Sequence, residues 1–84
     1  MIFVEMSKFT SLLDAYLNDD EYRALQNYML ENPKAGVILR GSGGIRKLRW
    51  AARGKGKSGG VRIIYYWAKQ AEHIYLLTLL GLTH

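Results

Sequence analysis

The apolar positions change period once along the chain, and that change divides it. Residues 2–6 are mostly β-formers and end at Ser7, which predicts a first strand. Ser7 is the expected N-cap of a helix, because Phe9, Leu12, Leu13, Tyr16 and Leu17 then recur at the spacing of one buried helical face. Asn18-Asp19-Asp20 interrupts that helix and can cap a second, with Asp20 and Glu21 at the positive end of its dipole. Tyr22, Leu25 and Met29 mark the inner face of the second helix, Tyr28 or Leu30 its margin, and Asn32-Pro33 its end. The two together predict a helical hairpin.

After Pro33 the period falls to two and glycines gather. Gly41-Ser42-Gly43-Gly44 is a turn cluster, and residues 45–50 alternate as a strand, with Arg46, Leu48 and Trp50 on one face and Ile45, Lys47 and Arg49 on the other. Residues 53–60 read as a basic, glycine-rich loop. Residues 61–68 are β-branched and aromatic throughout, the pattern of a central strand covered on both faces. Alternation there groups Tyr66 with Arg62 and sets Tyr65 and Trp67 opposite. Lys69-Gln70-Ala71-Glu72 separates this strand from residues 73–80, so the last two strands should form a hairpin. The expected class is α+β: an N-terminal strand and helical hairpin packed on a small, mostly antiparallel sheet, as one domain over residues 1–84.

Charge sharpens the picture. The chain carries a net charge of +5, but residues 40–62 hold eight bases and no acid while the rest holds four bases and seven acids. A basic segment is thus mounted on a mildly acidic scaffold, and an anionic partner is the first expectation. Lys47 and Arg49, two apart on one strand, project from the same face about 7 Å apart, within reach of adjacent phosphates. Arg62 opens an otherwise apolar strand, a costly place for a charge unless it faces a polar cleft. Tyr66 shares its face, and aromatic side chains among cations suit unpaired bases.

Other chemistries are weakly supported. The absence of cysteine excludes a disulfide framework, a thiolate metal site and a cysteine nucleophile, and fits a cytoplasmic protein. Residues 1–6 have no basic n-region, so no signal peptide is expected, and the apolar run at 74–82 is about half the ~20 residues a membrane helix needs. Gly54-Lys55-Gly56-Lys57-Ser58-Gly59 imitates phosphate-loop patterns, but the residue where a Walker A motif begins is Ala51 and the loop leads into a strand rather than a helix. His73 and His84 have no acid or cysteine at ligand spacing, so no metal or other cofactor is expected.

The stretch Gly43-Gly44-Ile45-Arg46-Lys47-Leu48-Arg49, then Gly54-Lys55-Gly56-Lys57-Ser58-Gly59-Gly60-Val61-Arg62-Ile63-Ile64-Tyr65-Tyr66, then Ile74-Tyr75-Leu76-Leu77-Thr78-Leu79, closely resembles the HigB-type toxins of the RelE superfamily, bacterial toxin–antitoxin endoribonucleases. The likeness extends back through Glu21-Tyr22-Arg23 and Asn32-Pro33-Lys34. It implies a RelE-like fold and metal-independent cleavage of mRNA in the ribosomal A site, by attack of a 2′-OH on the adjacent phosphate. By position it implies Arg62, Lys47 and Arg49 as catalytic residues, with Arg62 on transition-state charge and the other two holding substrate or handling the proton. RNA contacts are expected from Arg46, Arg53, Lys55, Lys57 and Tyr66, the loop lysines meeting ribosomal RNA. The implied partners are mRNA, ribosomal RNA and a HigA-like helix-turn-helix antitoxin. Relatives continue past the last strand into a segment that often carries catalytic side chains, where this sequence has Leu80-Gly81-Leu82-Thr83-His84. A chain shortened at that end is expected, with two alternatives to an active nuclease: a module that binds RNA or the ribosome without cutting, or one that binds an antitoxin segment along an edge formed by residues 73–82.

Overall fold

The first strand, β1 (Ile2–Glu5), leads directly into helix α1 (Ser7–Tyr16), followed by α2 (Asp19–Glu31) and the strands β2 (Val37–Ile38), β3 (Ile45–Trp50), β4 (Val61–Ala68) and β5 (His73–Gly81). These elements come from a computed structural model, which describes residues 1–51 and 60–82. The five strands form one sheet in the order β1-β5-β4-β3-β2. Three neighbouring pairs are antiparallel, and β1 runs parallel to β5. Because β1 and β2 occupy opposite edges, the helical hairpin between them must cross the whole sheet, and it covers one face in doing so.

That covered face holds the core. Phe9, Leu17, Leu25 and Met29 from the helical side meet Val61, Ile63 and Tyr65 of β4 and Ile74, Leu76 and Leu79 of β5, all with 2% exposure or less. On β4 Val61, Ile63 and Tyr65 are buried and Trp67 partly so, while the intervening Arg62, Ile64 and Tyr66 are not buried. The expectation of a strand covered on both faces is therefore corrected: one layer of helices buries one face only, and the other stays open.

Local chemistry explains most boundaries. Asn18 caps α2: its side chain accepts from the Glu21 backbone N–H at 2.8 Å while Glu21 accepts from the Asn18 N–H at 2.9 Å, a reciprocal pair that satisfies two orphan donors. Ser7 is not the cap of α1. Met6 occupies that position without a side-chain bond, because its N–H still donates to the Leu76 carbonyl in the sheet while its own carbonyl accepts from Thr10. The chain passes from ladder to helix through this single residue.

The short β2 was not expected from the sequence. It is joined to β3 through a turn in which Gly41, Gly43 and Gly44 all have positive φ. A register shift between Ile64 and Tyr65 in the β4–β5 pairing lets β5 present Ile74, Leu76 and Leu79 to one face despite their broken alternation. The expected edge along residues 73–82 is corrected for its first part, residues 73–76, which pair with β1. β5 lies inside the sheet, with β4 on one side and β1 occupying His73 to Leu76 on the other.

Glu5 ties β1 to both helices, accepting from the Thr10 hydroxyl and from the Tyr22 hydroxyl, each at 2.7 Å. Burial, reinforced by the carboxylate, pushes the Tyr22 phenol well above its ordinary value of 10.0. The folded state thus holds this proton more tightly than the unfolded chain. The linked stability is intact below about pH 10 and is lost as pH rises through the raised value. Denaturant midpoints measured from about pH 9 to 12 should fall with pH, and Tyr22→Phe should flatten that decline.

Candidate nucleic-acid interface

The pairing of β3 with β4 brings the expected cations together. Arg49 lies directly opposite Arg62, and Lys47 opposite Ile64, all on the face that the helices leave open. Cross-strand partners of this kind have Cβ atoms about 5 Å apart, and like charges so placed repel. Arg62 is half-buried, and its Nε is buried without a hydrogen-bond partner among the described residues. A folded chain tolerates such an arrangement more readily when an anion sits between the charges.

The three side chains line a shallow cavity of about 330 Å³ together with Ala35, Val37 and Leu48. Among the described residues, no acid lines it. Two cations from one strand and one from the next can each turn donors toward a single phosphate, beside an aliphatic rim of Ala35, Val37 and Leu48. The cavity suits a phosphodiester with room on both sides for the continuing strand.

Its far wall, the segment between α2 and β2, is held by contacts from the covered side. The Tyr65 hydroxyl donates to the Pro33 carbonyl and accepts from the Gly36 N–H, both at 2.9 Å. Burial raises the phenol's pKa, an effect partly offset by the Gly36 bond. Gly36 is required for this fit, because a Cβ there would lie 2.8 Å from the Tyr65 ring and 2.9 Å from the Lys47 carbonyl oxygen. Arg46 completes the clamp, its Nη1 donating to the carbonyls of Gly36 at 2.8 Å and Lys34 at 3.1 Å.

Arg46 has a structural contact that the sequence did not suggest. It lies on the side of β3 opposite Lys47 and Arg49, with its Nη1 bonded to the carbonyls of Lys34 and Gly36, so it braces the cavity wall. Tyr66 does lie on the open face, 38% exposed. Its ring packs over Gly44, where a Cβ would approach within 3.2 Å. Arg53, Lys55 and Lys57 lie outside the described residues, as does His84.

Sequence reasoning missed Ala35, Gly36 and Val37, which form the wall. The available signal was the pair Gly36 and Tyr65, but a glycine and a tyrosine 29 residues apart carry no periodic cue. Among the described residues, no three His, Cys, Asp or Glu side chains gather in a way that could hold a metal ion, and no helix is long and apolar enough to cross a membrane. No family model matches the chain.

Proposed function

We propose that this chain is a cytoplasmic endoribonuclease domain of the RelE/HigB toxin kind, acting on mRNA in the ribosomal A site and held in check by a HigA-like antitoxin. The observation that carries the reading is the convergence of Lys47, Arg49 and Arg62 on one open-face cavity with no acid among the described residues of its lining. The order of these residues along the chain supports the same resemblance. In the proposed reaction the 2′-oxygen attacks the adjacent phosphorus and the bond to the 5′-oxygen breaks, giving a 2′,3′-cyclic phosphate and a 5′-hydroxyl end. The 2′-OH proton leaves to a base, and the departing 5′-oxygen takes one up. Arg62 stabilises the charge that develops on the non-bridging oxygens, while Lys47 and Arg49 hold the substrate or handle the proton, the lysine being the one of the two that can give up a proton.

A second reading, RNA or ribosome binding without cleavage, is favoured by one feature: among the described residues, the cavity's side chains include neither carboxylate nor imidazole to accept the proton. Incubation with ribosomes programmed with mRNA separates the two. The nuclease reading expects fragments ending in cyclic phosphate, and their loss when a single 2′-deoxynucleotide replaces the nucleotide 5′ to the cut. Ribosome association with intact mRNA would select the binding module.

A further inference from the structure

The open face has a second half that the phosphate cluster does not use. Beyond Ile64, one step along β4, Tyr66 stands beside Tyr75 of β5 with ring centroids 6.5 Å apart. Tyr75 in turn stacks with His73 at 5.9 Å and an interplanar angle of 24°. The three rings form a row across two strands. Next to it, Tyr66 borders a cleft of about 470 Å³ whose lining, among the described residues, includes Lys69 and Gln70 of the β4–β5 turn and no acid.

We infer that this row and cleft form a nucleobase subsite, which takes an unpaired base of the same RNA strand whose phosphate lies on Lys47, Arg49 and Arg62. The inference rests on the proposed function and extends it. Four reasons favour RNA over a protein segment as occupant. Arg62 and Tyr66 are four residues apart on one strand, about 13 Å, so the row is reached by continuing the strand from the phosphate site. The charged residues lining both cavities are all basic, matching a polyanion. Aromatic faces flanked by cations stack bases of any sequence. The Gln70 amide and the Lys69 ammonium supply donors, and the amide an acceptor, at the rim where a base edge or the next phosphate would lie. Gly44 gives the turn its φ of +116° and leaves the space in which the Tyr66 ring lies.

The test compares two fluorescent, cleavage-resistant 2′-O-methyl oligonucleotides of equal length, one bearing bases and one abasic, titrated by anisotropy against the full chain. Tyr66→Leu/Tyr75→Leu keeps apolar packing and removes the aromatic faces, and Tyr66→Phe/Tyr75→Phe retains them. The expected results are roughly tenfold weaker binding of the base-bearing strand by the leucine variant, no change for the abasic strand, and parental binding by the phenylalanine variant. Equal losses for both strands would mean that the tyrosines only support the fold, and would overturn the subsite. Unchanged binding of both strands would leave the row to a protein partner, and would overturn it too while sparing the proposed function. Failure of the parent protein to bind either strand would remove the RNA reading itself, and the subsite with it.

Discussion

Arg62→Ala is expected to lower cleavage of ribosome-bound mRNA by about 10²–10³-fold, the usual scale for removing one preorganised donor to transition-state charge. The same change should leave the fold as stable as before, or slightly more so. Arg62 faces Arg49 across the strand pair, and its Nε is buried without a hydrogen-bond partner, so the free protein gains little from it. Loss of activity with retained stability is the pattern of a side chain kept for its ligand. Arg62→Lys keeps the charge but not the planar fork, and should recover only part of the rate. Single-turnover cleavage alongside chemical denaturation checks both halves, and full cleavage by the alanine variant would count against the assignment.

Phe9→Ala should have the largest effect on stability, about 3–5 kcal/mol. Phe9 is fully buried at the centre of the helical layer, and its ring packs against Tyr22 with centroids 5.8 Å apart. Truncation removes that contact and leaves a cavity bounded by α2 and the sheet. A small domain has only about 5–15 kcal/mol in total, so the variant should sit near the edge of unfolding. The urea midpoint should fall sharply with an unchanged slope if the same surface is still exposed on unfolding. A shift of only a few tenths of a molar would show that the helical layer tolerates the cavity and contributes less than its burial implies.

The fold and the site were legible in the sequence to different depths. The helices could be read because Phe9, Leu12, Leu13, Tyr16 and Leu17, then Leu25 and Met29, keep one face to the sheet and every second residue of β4 meets them. Alternation also separated Lys47, Arg49, Arg62 and Tyr66 from their neighbours, because side-chain direction in a strand follows from position alone. Three things had no local signal. The two residues of β2 are too short for a period, and Val37 and Ile38 are both exposed. The irregularity in β5 is hidden by Leu76, Leu77, Leu79 and Leu80, since a run of leucines reads the same in either register. The fate of Arg46 depended on where the carbonyls of Lys34 and Gly36 come to rest, which only the folded chain determines. Charge patterning could find the basic segment but could not say which cation was committed to the backbone.

The central claim is that Lys47, Arg49 and Arg62 bind RNA phosphate together, and the salt dependence of binding reads this most directly. For a single strand, the slope of log K against log salt changes by about 0.7 for each neutralised phosphate. With an oligonucleotide made uncleavable by a 2′-deoxynucleotide, Lys47→Gln/Arg49→Gln/Arg62→Gln should weaken binding and reduce that slope by about 2 if each cation neutralises its own phosphate, or about 0.7 if all three share one. A parental slope in the triple variant would contradict the account and place the phosphate contacts elsewhere on the chain.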